Sequence, residues 1–153
     1  MTFDFSENLD RTSWQLLEAL QENARLSYAE LGRLVGLSPP AVAERVKKME
    51  EIGIITGYRV EIDAEKIGLP ITALIALTTT PQQYTQVIAL MTNLTEIQCC
   101  HHVTGDSSFT IEAKVSSIAH LEKLIEQISQ YGQTKTSIVL SSPIKIRFLS
   151  NPF

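Results

Sequence analysis

Residues 27–55 read SYAELGRLVGLSPPAVAERVKKMEEIGII, and their pattern decides how the chain folds. Ser27 and Glu30 have the spacing of a capping box, in which hydroxyl and carboxylate satisfy each other's main-chain N–H. Leu31, Leu34 and Val35 follow at helical spacing, and Gly36 stands where a helix needs a left-handed residue to stop. Ser38 then reads as the cap of a second helix, with Pro39 at the first position, where its missing N–H costs nothing. Val42, Val46 and Met49 make a buried stripe at i, i+4 and i+7, while Ser38, Pro40, Ala41, Glu44, Lys47 and Lys48 lie away from it. Two short helices, a tight Gly-containing turn, and small and basic residues facing outward on the second helix form a helix-turn-helix pattern. Gly32 fits it. A glycine inside a helix costs roughly 1 kcal/mol relative to alanine, and close approach of another helix, which the sharp crossing of this motif demands, is a reason to keep it. An αα-hairpin without a DNA role shares much of the pattern.

The segment LDRTSWQLLEALQENARLSYAELGRLVGLSPPAVAERVKKMEEIGIITGY resembles the amino-terminal domain of the Lrp/AsnC (leucine-responsive regulator) family. The matching pieces are Leu9-Asp10, Leu16-Leu17, Asn23-Ala24-Arg25, Gly36-Leu37-Ser38-Pro39, Arg45-Val46, Met49-Glu50 and Gly53-Ile54-Ile55, and HHVTGD (His101 to Asp106) is similar to that family's loop before a ligand-binding strand. The resemblance spans about Leu9 to Phe148. It implies a dimer, commonly assembled into octamers, and an amino-acid effector bound near this loop at a subunit interface. Main-chain groups there meet the effector's carboxylate and an acid meets its ammonium. The family commonly shows G-x-x-D in the loop, but here the fourth position is Ser108. That leaves Asp106 as the acid nearby in sequence. Thr104, Gly105, Asp106 and Ser108 are therefore the effector candidates, with Thr136 and Ser137 as secondary ones. A plain β-hairpin turn is the competing reading.

Outward from the motif, Leu9–Gln21 reads as a helix capped by Asp10 or Ser13, with Leu16, Leu17 and Leu20 inward. Trp14, the only tryptophan, reads as packing against another part of the dimer or the core, with nucleotide stacking as the alternative. Residues 1–8 read as a loose arm. Thr56–Ile62 alternates and reads as a strand whose Arg59 either reaches a phosphate or is a solvated charge. Beyond a turn-rich connector come strand (71–79), helix (from Pro81; Tyr84, Val87, Ile88 and Met91 inward), strand (97–104), strand (108–115), helix (Ile118, Leu121, Leu124, Ile125 and Ile128 inward) and strand (134–140), with a short extra strand at 143–148. The expected class is thus α+β: a three-helix helix-turn-helix domain (1–55), a linker (56–68) and a ferredoxin-like βαββαβ domain (69–153). Ala73, Ile75 and Leu77 alternate with Leu74 and Ala76, so the first strand is apolar on both faces. Helices cover one face, and the other calls for a second copy of the chain.

Charge is distributed unevenly. From Arg25 to Val60 six basic residues outnumber four acidic ones, a local +2, which leaves −6 for the rest of a chain whose total is −4. That suits local phosphate contact rather than a protein coated in nucleic acid. Glu44 has two readings, an acceptor for a cytosine amino group and an i, i+4 partner of Lys48. Arg45 lies beside the buried stripe, and it either contacts DNA or holds Glu30 or Glu18 within the domain. Cys99-Cys100-His101-His102 does not make a metal site, because neighbours on a strand point to opposite faces. No nucleophile–base set, GxSxG or phosphate loop is present, so neither an enzyme nor a cofactor is expected. The acidic start lacks a signal peptide, no run approaches the ~18 apolar residues of a membrane span, and the adjacent cysteines read as reduced thiols. A cytoplasmic protein with no membrane partner is expected. The functional expectation is a sequence-specific transcription regulator on double-stranded DNA. The alternatives are an architectural DNA-wrapping protein and an amino-acid sensor acting through protein contacts.

Overall fold

The computed structural model describes residues 9–151; the expected arm at 1–8 lies outside them. The chain divides into two compact units. One holds the chain up to Val60 and from Ile144 onward, the other Glu61–Pro143.

The first unit contains α1 (Arg11–Glu22), α2 (Tyr28–Val35) and α3 (Pro39–Glu51). Asp10 caps α1 by accepting from the Ser13 N–H at 2.8 Å. The capping box of α2 is complete: Ser27 Oγ accepts from the Glu30 N–H, and Glu30 accepts from the Ser27 N–H. Gly36 ends α2 in the left-handed region at φ 71°. A Cβ on Gly32 would run into the Leu37 carbonyl oxygen, so this glycine makes room for the turn rather than, as expected, for another helix. Ser38 takes the cap conformation before α3, yet its hydroxyl makes no cap hydrogen bond, contrary to the sequence reading. Pro40 removes one of the two main-chain N–H groups that such a cap ordinarily bonds. Leu16, Leu31, Val42, Val46 and Met49 form the core. Leu34, at helical spacing with Leu31 and Val35, is 64% exposed: a helix this short presents one narrow stripe, and Leu31 and Val35 take it.

The second unit contains β1 (Ile71–Thr78), α4 (Tyr84–Asn93), β2 (Ile97–His102), β3 (Phe109–Val115), α5 (Ile118–Ser129) and β4 (Gln133–Ile138). The four strands form one antiparallel sheet in the order β2-β3-β1-β4, the ferredoxin-like topology. Ala73, Ile75 and Leu77 of β1 and Phe109, Ile111, Ala113 and Val115 of β3 pack beneath Val87 and Met91 of α4 and Leu121, Leu124 and Ile128 of α5. Pro81 opens a single 3₁₀ turn before α4 proper, and Ile88, expected inward, points to solvent. The register of β2 shifts between Ile97 and Cys99. Ile97 and Cys100 consequently both pack on the core, which leaves Cys99 and His101 to the other face.

That other face carries Leu74 and Ala76 in its middle, with Lys114 beside Glu112 (3.5 Å) and bonded to Thr72 (3.1 Å) on the β3 side. It is therefore an apolar stripe bordered by a charged pair.

Two expected strands do not form. Residues 56–62 and 143–148 carry no ladder. Alternation makes a segment able to be a strand, but a strand needs an edge to pair with, and neither segment meets one here. Much of their apolar surface stays in solvent, with Val60 85% and Ile62 62% exposed.

Candidate nucleic-acid interface and effector loop

α3 has a buried side made by Val42, Val46 and Met49 and an exposed side carrying Pro40, Glu44, Lys47 and Lys48, with Ser38 exposed just before it and Ala41 half-buried. Arg45 belongs to neither side. Its Nη1 lies 2.8 Å from both carboxylate oxygens of Asp10 and 3.1 Å from Ser13 Oγ, tying α3 to the first turn of α1. The internal partner is thus Asp10 rather than Glu30 or Glu18. The Asp10 carboxyl is held below the usual aspartate range, first by the Ser13 N–H and hydroxyl and then by Arg45. Ser13, at the centre of this cluster, is buried.

Lys47 pairs with Glu51 at 3.4 Å, both largely exposed. Such a pair is worth at most about 1 kcal/mol and gives way easily to a phosphate. Among the described residues Glu44 makes no ion pair with Lys48. Tyr58 donates to Glu50 Oε1 at 2.8 Å, and partial burial together with that carboxylate pushes its phenol up to about 12. The bond fastens the chain leaving α3, and the next residue, Arg59, projects exposed from coil rather than from a strand.

In the second unit the β2–β3 connection is drawn tight. The Val103 N–H donates to Ser108 O at 3.0 Å, the Ser108 N–H to Leu77 O at 2.8 Å, and Thr78 Oγ1 to Asp106 O at 3.0 Å. Gly105 sits at φ 112°, where a side chain would be strained. Ser108 is buried, and its hydroxyl accepts from the Thr79 N–H at 3.1 Å and donates to Thr79 O at 3.0 Å. It locks β3 to the end of β1, so the expectation that it faces an effector does not match its position. Thr104 and the Asp106 side chain are exposed.

Thr136 and Ser137 part company. Thr136 lies opposite Ile75 on the helix-covered face, and Ser137 lies opposite Leu74 on the open face. They cannot line one pocket.

The sequence reading overlooked a ring cluster beside the loop. His102 meets Tyr84 edge-on at 4.8 Å and Phe109 at 5.1 Å, with Tyr84 and Phe109 5.2 Å apart. His102 and Phe109 face each other across β2 and β3, a pairing that spacing alone does not reveal. At the opposite end of β2, His120 Nε2 lies 2.8 Å from Glu96 Oε1, and this contact holds the Glu96 carboxyl below its usual range.

Comparison with known proteins follows this division. Residues 9–50 match the AsnC-type helix-turn-helix domain, and residues 72–147 match the Lrp/AsnC ligand binding domain. The HTH-type transcriptional regulator LrpC of Bacillus subtilis is 34% identical over 133 residues, covering 87% of this chain and 92% of the relative. The chain belongs to the Lrp/AsnC family. It is a DNA-binding transcriptional regulator. The regulatory protein AsnC of Escherichia coli is 35% identical over 143 residues, 90% of this chain and 92% of that protein. Among solved structures, Bacillus subtilis LrpC superposes with a TM-score of 0.86 at 33% identity, covering 90% of this chain and 99% of that one. A Neisseria meningitidis transcriptional regulator in complex with L-Met superposes equally well, 0.86 at 26% identity, covering 92% and 96%. Among the described residues no group of three or more His, Cys, Asp or Glu could hold a metal, and no helix is long and apolar enough to cross a membrane.

Proposed function

We propose that this regulator works as a homodimer, built further into octamers, whose two copies of α3 read the half-sites of a pseudo-palindromic duplex one helical turn (~34 Å) or a multiple apart. Lys47, Lys48 and Arg59 contact phosphates, and Glu44, Ala41 and Pro40 face base edges with Ser38 at their margin. The observation carrying this reading is the exposed side of α3, where Lys47 has only a solvent-screened partner while Arg45 is committed to Asp10. Arg45 accordingly leaves the contact set. In this reading residues 1–55 are the DNA-binding part, 56–68 the linker and 69–153 the assembly and effector part. The apolar stripe through Leu74 and Ala76 meets its counterpart in a second copy, and the effector, an amino acid, sits at the turn of Thr104, Gly105 and Asp106 with Asp106 taking its ammonium. A regulator of this kind acts in the cytoplasm, where the DNA is. Ser137 is on the open face and can join such a site; Thr136 and Ser108 cannot.

The deciding experiment substitutes Lys47→Ala and Lys48→Ala together and measures DNA binding over a range of salt. Two lost phosphate contacts should lower the slope of log K against log salt by ~1.8, since each contact contributes ~0.9. An unchanged slope in the folded double variant would remove α3 from the DNA.

A further inference from the structure

The segment after β4 does not stay with the sheet. Residues from Ile144 onward belong to the helical unit, and the Gln21 side chain of α1 bonds to Leu149 of this segment. Gln21 Nε2 donates to Leu149 O at 2.8 Å, and the Leu149 N–H donates back to Gln21 Oε1 at 2.9 Å. One amide thus reads both main-chain groups of one residue, as a neighbouring strand would. Leu149 lines a cavity of about 370 Å³ with Trp14, Leu17, Leu20 and Ile54, and together with Phe148 it also lies beside Leu34 and Val35. The grip is shallow, because Phe148 is 52% and Leu149 76% exposed and the segment has no ladder of its own.

We propose that α1 presents a docking groove for an extended peptide segment, and that its occupant is residues 144–151 of the same chain, seated reversibly as a strap. Recognition needs an extended backbone for the Gln21 amide and two successive apolar side chains laid against the helix, which Phe148 and Leu149 supply. The exposed Leu34, unexplained by the helical core, becomes one wall of the groove. The strap also bears on DNA binding, since the helix it crosses is the one whose Asp10 and Ser13 fix Arg45 and hence α3.

Trp14 makes the proposal directly testable, because it is the only tryptophan in the chain and lines the groove. Ending the chain at Pro143 should shift its emission to the red and raise its quenching by acrylamide, while far-UV circular dichroism stays native. Adding the peptide IKIRFLSN should reverse both changes. The point variants Gln21→Ala and Leu149→Asp, in the full chain, should show the same direction and carry the test if the shortened chain does not fold. Emission and quenching identical to the intact chain in folded variants would overturn the strap. Emission of the intact chain that shifts to the blue only as protein concentration rises would overturn docking within one chain and place a second copy's segment in the groove.

Discussion

α3 and the β2–β3 loop solve the same problem with different chemistry. Each presents polar residues at a surface, and in each one of them is turned inward to build the surface. In α3 the inward residue is Arg45, and its partners are a carboxylate and a hydroxyl on another helix. In the loop it is Ser108, and both partners are main-chain atoms of Thr79. The first clamp is ionic and half-exposed; the second is neutral and buried. The first should therefore respond to pH and salt and the second to neither. The outward residues, Lys47 and Lys48 in one case and Asp106 in the other, can change without disturbing either scaffold.

The largest expected effect concerns Asp106. If it takes the ammonium of an amino acid, Asp106→Ala removes a charged hydrogen bond of ~1.5–3 kcal/mol, a loss of about 10- to 150-fold in affinity at 1.4 kcal/mol per decade. Calorimetric titration with a panel of amino acids checks it, and DNA binding by the ligand-free variant should be unaltered. If no amino acid binds the wild type at millimolar concentration, the loop is only a turn.

Next comes Ser108→Ala, which strands the Thr79 N–H and carbonyl in a partly buried place. About 1–2 kcal/mol of stability should disappear, by the same amount at every pH, as denaturant unfolding would show. A loss smaller than the scatter of such measurements would mean that water replaces the hydroxyl and that Ser108 is free for another role.

Arg45→Ala should cost less, about 1 kcal/mol, because both ends of the pair are substantially exposed and solvent screens them. Here pH matters. The Asp10 carboxyl is depressed below the ordinary aspartate value of 3.8, so its contribution is present above that value and is lost as pH falls through the lower folded value. The difference between wild type and Arg45→Ala should narrow in acid below about 3.8, whereas that of Ser108→Ala should not. Parallel pH profiles for the two variants would erase the distinction between the clamps.

Sequence conveyed the local signals well. The capping box, the left-handed Gly36 and the stripe of Val42, Val46 and Met49 each depend on residues a turn or two apart, and each sits where spacing places it. The succession of strands and helices in the second unit likewise followed from alternation, helical spacing and turn residues. What stayed hidden depends on distance along the chain. Arg45 could be seen to lie beside the stripe, but its partner is 35 residues away, and nothing in the intervening sequence favours Asp10 over Glu18 or Glu30. Ser108 looked like a vacancy in a ligand motif because its bond to Thr79 exists only once β1 and β3 are side by side. Periodicity also misjudged 56–62 and 143–148: it reports which side chains share a face, and says nothing about whether an edge is at hand. Leu34 and Ile88 err for a related reason, since helical spacing allows more apolar positions than one contact stripe can cover.

The two prolines that open α3 bear on how such a helix can change its target. A helix start ordinarily offers four unpaired N–H groups, a main-chain grip that holds any phosphate whatever the side chains are. With Pro39 and Pro40 in the first turn, two of those four are missing. What the helix can say to a duplex is left mostly to side chains on its exposed side, and these bear little load in the fold. Substitutions at position 44 should therefore redirect the protein to new sites, and substitutions at 47 and 48 retune how tightly it holds any site, with little loss of stability, a freedom that lets duplicated copies of such a gene diverge in the promoters they serve while the scaffold stays fixed.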